Sequence, residues 1–211
     1  MIPAEFADLT GAGRDLRAWA VANCATMDDA WSTARPDWLV WIATQRGVLD
    51  DRTLRKFAVW SARRVQHLMD DPRSIAALDV ADRHADGLAT SVDLVDAGDA
   101  AFDVARVTTD DSAIDCARDA AWTSAAFRAL SAARGSSWLS AEAAARAASR
   151  DVWSRALADR EATHAQRETA RASAKAAGDA VHASSRAAQA VWLRENATPD
   201  WDRVRKMGSA R

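Results

Sequence analysis

The chain has 211 residues, 49% of them hydrophobic and 27% charged, with a formal net charge of −2 at pH 7. This balance suits one globular domain, or two small ones, with an ample core and excludes collagen-like, fibrous and fully disordered classes. No apolar run approaches the ~20 residues that span a bilayer, and Glu5 and Asp8 stand where a basic leader would lie, so a cytoplasmic protein outside the membrane is expected.

Strand signals are nearly absent, whereas Ala, Arg, Leu and Trp recur at three- and four-residue spacing. The expected fold class is therefore all-α: an irregular stack of about eight antiparallel helices forming one domain over 1–200, with a long Ala-rich helical segment near its end. Gly11 and Gly13 close a loose N-terminal segment, and a first helix runs from Arg14 to Cys24 with Leu16, Trp19 and Ala20 on one side. Thr26 caps a short second helix through Ala34, with Asp28 and Asp29 in its first turn. Pro36 suits the first position of a third helix that ends before Gly47. Asp51 caps a fourth helix, Arg52 to Met69, and Asp70-Asp71-Pro72 stops it while starting a fifth that ends near Gly87.

A sixth helix runs from Ser91 to Val107, and a seventh opens at Asp110-Asp111-Ser112 and ends at Gly135. Residues 140–196 then read as one very long helix, or two with an unmarked joint. Their middle has almost no large apolar residue, which implies a solvated face held by Ala packing or a projecting arm. Residues 201–211 read as a flexible tail. No period of 33–47 residues repeats, so a solenoid of strict repeats is not expected.

Five of the ten tryptophans fall within the first sixty residues. A Trp buries about 150–250 Å², so a helical-spaced cluster of Trp19, Trp31, Trp38 and Trp41 is expected to pin the first helices together as an aromatic core. Trp60 is different. On a wheel of residues 52–69, Leu54, Phe57, Ala58, Val65 and Leu68 share one face, Arg52, Arg55, Lys56 and Arg63 share the opposite one, and Trp60 falls between them. A basic stripe edged by Trp suits an acidic partner, so these five residues form the expected partner-binding surface. The bland alternative is a solvated face with Trp60 at the core margin.

Chemistry-bearing motifs are few. Cys24 and Cys116 lack metal or redox spacing and read as buried thiols. Glu161-Ala-Thr-His164 matches one Glu-x-x-His pair of a di-iron bundle, but the second pair is missing, so no metal is expected. His84 between Asp82 and Asp86, and His67 near Asp70 and Asp71, read as surface or capping residues. There is no Gly-x-Ser-x-Gly elbow, Gly11-Ala-Gly13 lacks the third glycine and the strand of a dinucleotide motif, and the slightly acidic chain does not suit nucleic acid. No catalytic residue and no cofactor are therefore expected. Charge is carried almost entirely by Arg and Asp, with lysine only at Lys56, Lys175 and Lys206.

The segment from Leu16 to Trp60 resembles a family of immunity proteins found with bacterial polymorphic toxins and in some phage genomes. The matching residues are Leu16, Ala18-Trp19-Ala20, Ala30-Trp31, and Arg35 followed by Asp37-Trp38-Leu39-Val40-Trp41. The family's core is Arg-Gly-Asp-Trp-x-x-Trp; here Pro36 takes the glycine's place, and a Cys often found before that Arg is missing. Farther on, the likeness is Ala-rich helicity and a closing Gln189-Ala-Val-Trp192-Leu-Arg segment before Pro199-Asp200-Trp201. The resemblance implies a small cytoplasmic protein that binds and silences a partner protein, with the Asp-Trp-x-x-Trp helix structural, and it implies no catalytic residue.

Stoichiometric binding and occlusion of a toxin or effector, without turnover, is thus the expected function. Two other expectations are a phage counter-defence protein that sequesters an anionic nucleotide, and a structural protein that self-associates through the helix of residues 140–196.

Overall fold

The computed structural model describes residues 1–158 and 162–208, and among these every regular element is helical. The helices are α1 Pro3–Thr10, α2 Arg14–Asn23, α3 Met27–Thr33, α4 Pro36–Ala43, α5 Asp51–Arg63, α6 Pro72–Ala85, α7 Ser91–Ala105, α8 Ser112–Ser124, α9 Ala129–Leu157, α10 His164–Asn196 and α11 Trp201–Gly208, with a short 3-10 turn Gln66–Leu68 after α5. Helix starts follow side-chain chemistry. Thr26 with Asp29, Thr90 with Asp93 and Thr163 with Gln166 form capping boxes, and Asp50, Asp71 and Asp111 each accept from a first-turn N–H.

Several boundaries differ from expectation; the helix expected over Arg52 to Met69 is capped by Asp50, not Asp51, and ends at Arg63. The N-terminal segment is a helix, because Phe6 is buried edge-on against Trp41 and Trp201, with ring centroids 6.3 and 5.8 Å away. The expected tail is also helical through Gly208: Trp201 is buried and its indole N–H donates to Asp28 at 2.8 Å, and Val204 is buried beside it. Of the two readings of residues 140–196, two helices is the one found: the end of α9, then α10, which starts at the Thr163 cap. The Glu161-Ala-Thr-His164 match noted in the sequence falls partly outside the described residues.

A further difference is at Gly135, which lies inside α9 and does not end a helix. The chain turns earlier, over residues 125–128, and Gly135 serves close packing: a Cβ there would lie 2.9 Å from the Thr123 side chain of α8. Beside it, the Ser136 hydroxyl donates to the Ala120 carbonyl at 2.9 Å. Small residues let α9 run against α5, α8 and α10 as a central rod.

Two cores share this rod. Leu39, Ile42, Phe57 and Leu193 fill the first with α1 and α11 closing it, and Leu78, Leu94, Val65 and Ala117 fill the second. Of the expected aromatic core, Trp31 is buried, whereas Trp19, Trp38 and Trp41 are half-buried at its margin. Trp19 and Trp38 lie 5.1 Å apart, and Arg35 covers the Trp38 ring at 4.0 Å.

Replacing Gly135 with Val is expected to overpack the α8–α9 contact and cost about 1–3 kcal/mol in urea denaturation. Gly13→Ala, which meets open space, is expected to stay within ~0.5 kcal/mol of wild type.

Candidate functional site: a cationic groove at the start of α5

The expected basic stripe is largely consumed inside the fold. Arg52 donates to Asp86 at 2.7 Å, Lys56 to Asp82 and Asp86 at 2.7 and 2.6 Å, and Arg63 to Asp79 at 2.7 Å. The stripe is thus an ion-pair seam that zips α5 to α6. Arg55 is farther from expectation, being 3% exposed, with its guanidinium donating to the carbonyls of Ser124, Ala126 and Phe127 at 3.1, 2.9 and 3.0 Å. Trp60 is half-buried between Phe57 and Trp192, and Arg64 lies over its ring. Of the five expected partner-binding residues, only Arg52 keeps a largely exposed side chain.

Arg55 belongs to a wider pattern. The last carbonyls of a helix have no partner within it, and Gly caps are scarce here. Arginines from distant helices supply the donors. Arg134 donates to Thr44 at the end of α4, Arg194 to Ala34 at the end of α3, Arg118 to Val107 beyond α7, and Arg203 to Gly47. Arg118 also forks onto Asp70, and Arg186 bonds Asp37 of the Asp-Trp-x-x-Trp helix at 3.0 Å.

Two arginines left over from this work, Arg46 and Arg128, converge with three engaged ones on another surface. A groove of about 950 Å³ opens where the α4–α5 connection, the first turns of α5, the end of α6, the α8–α9 corner and α11 meet. Its charged lining is Arg46, Arg52, Arg55, Arg128 and Arg203 against the single carboxylate of Asp51, with the half-buried His84 beside them. Among the described residues, the side chains of Arg46 and Arg128 make no hydrogen bond or ion pair. Arg128 is also the N-cap of α9, a helix with no side-chain cap and no acid in its first turn, so the positive end of a long helix adds to the same field. Burial, then the Arg55 charge, push the His84 imidazole below its ordinary range.

Local sequence builds this groove. Gly47 has φ +89°, and a Cβ on it would lie 3.0 Å from the Met207 sulfur and 3.4 Å from the Val204 backbone, so only glycine lets α11 close down as a wall. Leu49, Leu54 and Ala129 are buried beneath the mouth, and Phe127 stands 70% exposed at its rim. Sequence reasoning missed Arg46 and Arg128 because nothing local separates an unpaired arginine from one that fastens a remote helix.

Other chemistry is thinly represented. Among the described residues no group of three His, Cys, Asp or Glu is placed to hold a metal. Asp82 and Asp86 are taken by Lys56 and Arg52, and Asp70 by Arg118. Cys24 and Cys116 are free and buried, and burial pushes the Cys116 thiol up. No described helix is long and apolar enough to cross a membrane. No protein-family model, curated protein or solved structure matches the chain.

Arg55→Met is expected to strand three carbonyls and cost ~3 kcal/mol or more in urea denaturation, whereas Arg52→Ala and Arg63→Ala each cost ~1 kcal/mol or less. The acid limb of stability has its own marker. Asp71 is held at about 2 by the Arg73 guanidinium and then by the Arg73 backbone N–H. Its contribution is present above its unfolded value near 3.8 and is lost as pH falls towards 2. Asp71→Asn keeps a cap and is expected to remove part of the stability loss between pH 4 and 2.

Proposed function

We propose that this chain is a non-catalytic binding protein of the immunity type, which neutralises a toxin or similar effector by covering its working surface. The observation that carries the reading is the groove: unpaired Arg46 and Arg128 beside exposed Phe127, in a protein whose other stripe arginines and lysine are satisfied internally. Cations held at fixed positions around a mouth steer an acidic partner and fix its register. An exposed aromatic beside them supplies the kind of anchor on which interface affinity concentrates. The resemblance of Leu16–Trp60 to toxin-associated immunity proteins supports the same reading, and the proposed place of action is the cytoplasm. The partner surface in this proposal is the groove, with Arg52 at its edge, in place of the α5 stripe.

A second reading draws on the volume of the groove, which lies within the ~300–1,000 Å³ of small-molecule pockets. In it, the arginines hold the phosphates of an anionic nucleotide and the protein acts as a phage-type sponge. Nucleotide at 100 times its dissociation constant adds about 2.7 kcal/mol of stability, which thermal-shift screening reads directly.

The experiment is capture of the host partner on immobilised protein, followed by titration of the purified pair. Arg46→Glu with Arg128→Glu is expected to weaken partner binding at least tenfold, whereas Arg63→Glu, outside the groove, changes it less than twofold. Unchanged affinity in the double variant removes the groove from the account. Release of a nucleotide, with no stoichiometric protein, favours the second reading.

A further inference from the structure

Six large apolar side chains stand out of the surface on α7, on α8 and on the segments that flank them: Leu88, Val92 and Phe127 are 72, 68 and 70% exposed, and Phe102, Val95 and Trp122 are 44, 43 and 37% exposed. The fold gathers them. Phe102 of α7 packs on Trp122 of α8 with ring centroids 5.1 Å apart. One turn earlier in α7, Gly98 is buried against Ala125, where a Cβ would lie 3.5 Å from the Ala125 carbonyl oxygen. Val95 lies one turn earlier again, and the start of α7 at Ser91 shares the groove wall with Phe127. A continuous apolar strip therefore runs along the α7–α8 seam, over a rise of ~16 Å from Ser91 to Phe102, and ends at the groove mouth. Single exposed apolar residues are ordinary, whereas a contiguous strip marks an interaction surface.

The charges beside the strip identify what covers it. The α7 helix carries Asp93, Asp96, Asp99 and Asp103 and no basic residue. Asp93 is spent on the Thr90 cap and Asp103 on Arg106, but Asp96 and Asp99 are exposed and make no ion pair among the described residues. At the groove end of the same strip stand the unpaired Arg128 and Arg46. One flank of the strip is thus acidic, its groove end basic, and its middle apolar. A two-fold axis pairs such a surface with itself: each contact of residue i with residue j is matched by j with i. The acidic α7 face of one copy then meets the cationic mouth of the other, twice, while the apolar strips close on each other.

We propose that the occupant of this strip is a second copy of this chain, bound in a two-fold dimer through α7, the end of α8 and the groove mouth. A foreign partner would have to carry the same polarised pattern, which a second copy carries by construction. The dimer stands on the strip and its flanking charges, independently of the neutralising function. Because Arg46 and Arg128 serve both surfaces, a second copy and a partner in the groove exclude each other.

Sedimentation velocity of the full chain at 1 to 200 µM tests the pairing. The wild type is expected to pass from the 22.8 kDa monomer to twice that mass as concentration rises, with at least a tenfold weaker association in high salt. Phe102→Asp is expected to abolish the dimer. Reversing Asp96 and Asp99 to Arg, or Arg46 and Arg128 to Asp, is expected to weaken it at least tenfold, and combining both reversals is expected to restore it. All of these positions are exposed or at the groove mouth, and a wild-type far-ultraviolet circular dichroism spectrum confirms that each variant is folded. A wild type that stays monomeric throughout overturns the proposal, as does a dimer that Phe102→Asp and the charge reversals leave intact. Either result leaves the neutralising reading to its own partner titration.

Discussion

Unsatisfied carbonyls at helix ends are the constraint on which this structure depends. A chain of short helices has many such ends, and a buried end without donors is costly. Here arginines reach across the fold to supply them. Arg55 holds the α8–α9 corner, Arg134 the end of α4, Arg194 the end of α3, and Arg203 the loop at Gly47. The guanidinium suits this task because its five donors lie in one rigid plane and its charge persists at every relevant pH. A composition in which arginine almost entirely replaces lysine thus has a structural use. It also defines the site by subtraction, since the groove is where Arg46 and Arg128 remain with nothing to fasten.

Much of the fold was legible where side chains act locally. Thr26, Asp71-Pro72 and Asp111 each mark a helix start within a residue or two, because capping is a contact between near neighbours. The Thr163-x-x-Gln166 box was an equally local signal for the joint inside 140–196 and went unread. Gly135 misled for a physical reason: glycine ends helices and also admits a neighbouring helix, and only the position of Thr123 separates the two. The tail was opaque because Trp201 is held by Phe6, Trp31 and Asp28, all far away in the chain.

The site was less legible. A wheel places Arg52, Arg55, Lys56 and Arg63 on one face, but says nothing of what lies over that face. A readable clue did exist. Arg52, Lys56 and Arg63 run in one direction along α5, and Asp86, Asp82 and Asp79 run in the other along α6, so antiparallel neighbours pair in register. That reciprocity marks a seam in place of a docking surface. Arg55, by contrast, is bound by main-chain carbonyls, which leave no trace in side-chain patterning. The tryptophans divide likewise: Trp31 is core, while Trp19, Trp38 and Trp41 seal its edge, and the cationic groove lies elsewhere, at the α5–α9 junction.

The central claim is that the groove receives anionic groups, and His84 reports on it. Its imidazole sits in the groove wall, held below its ordinary range by burial and by Arg55. An anion bound among the arginines would offset that charge and favour the protonated ring. The decisive measurement is an NMR titration of the four histidines in sodium sulfate and in sodium chloride at equal ionic strength. The account predicts that sulfate raises the His84 midpoint relative to chloride. A His84 midpoint that is the same in both salts would contradict it.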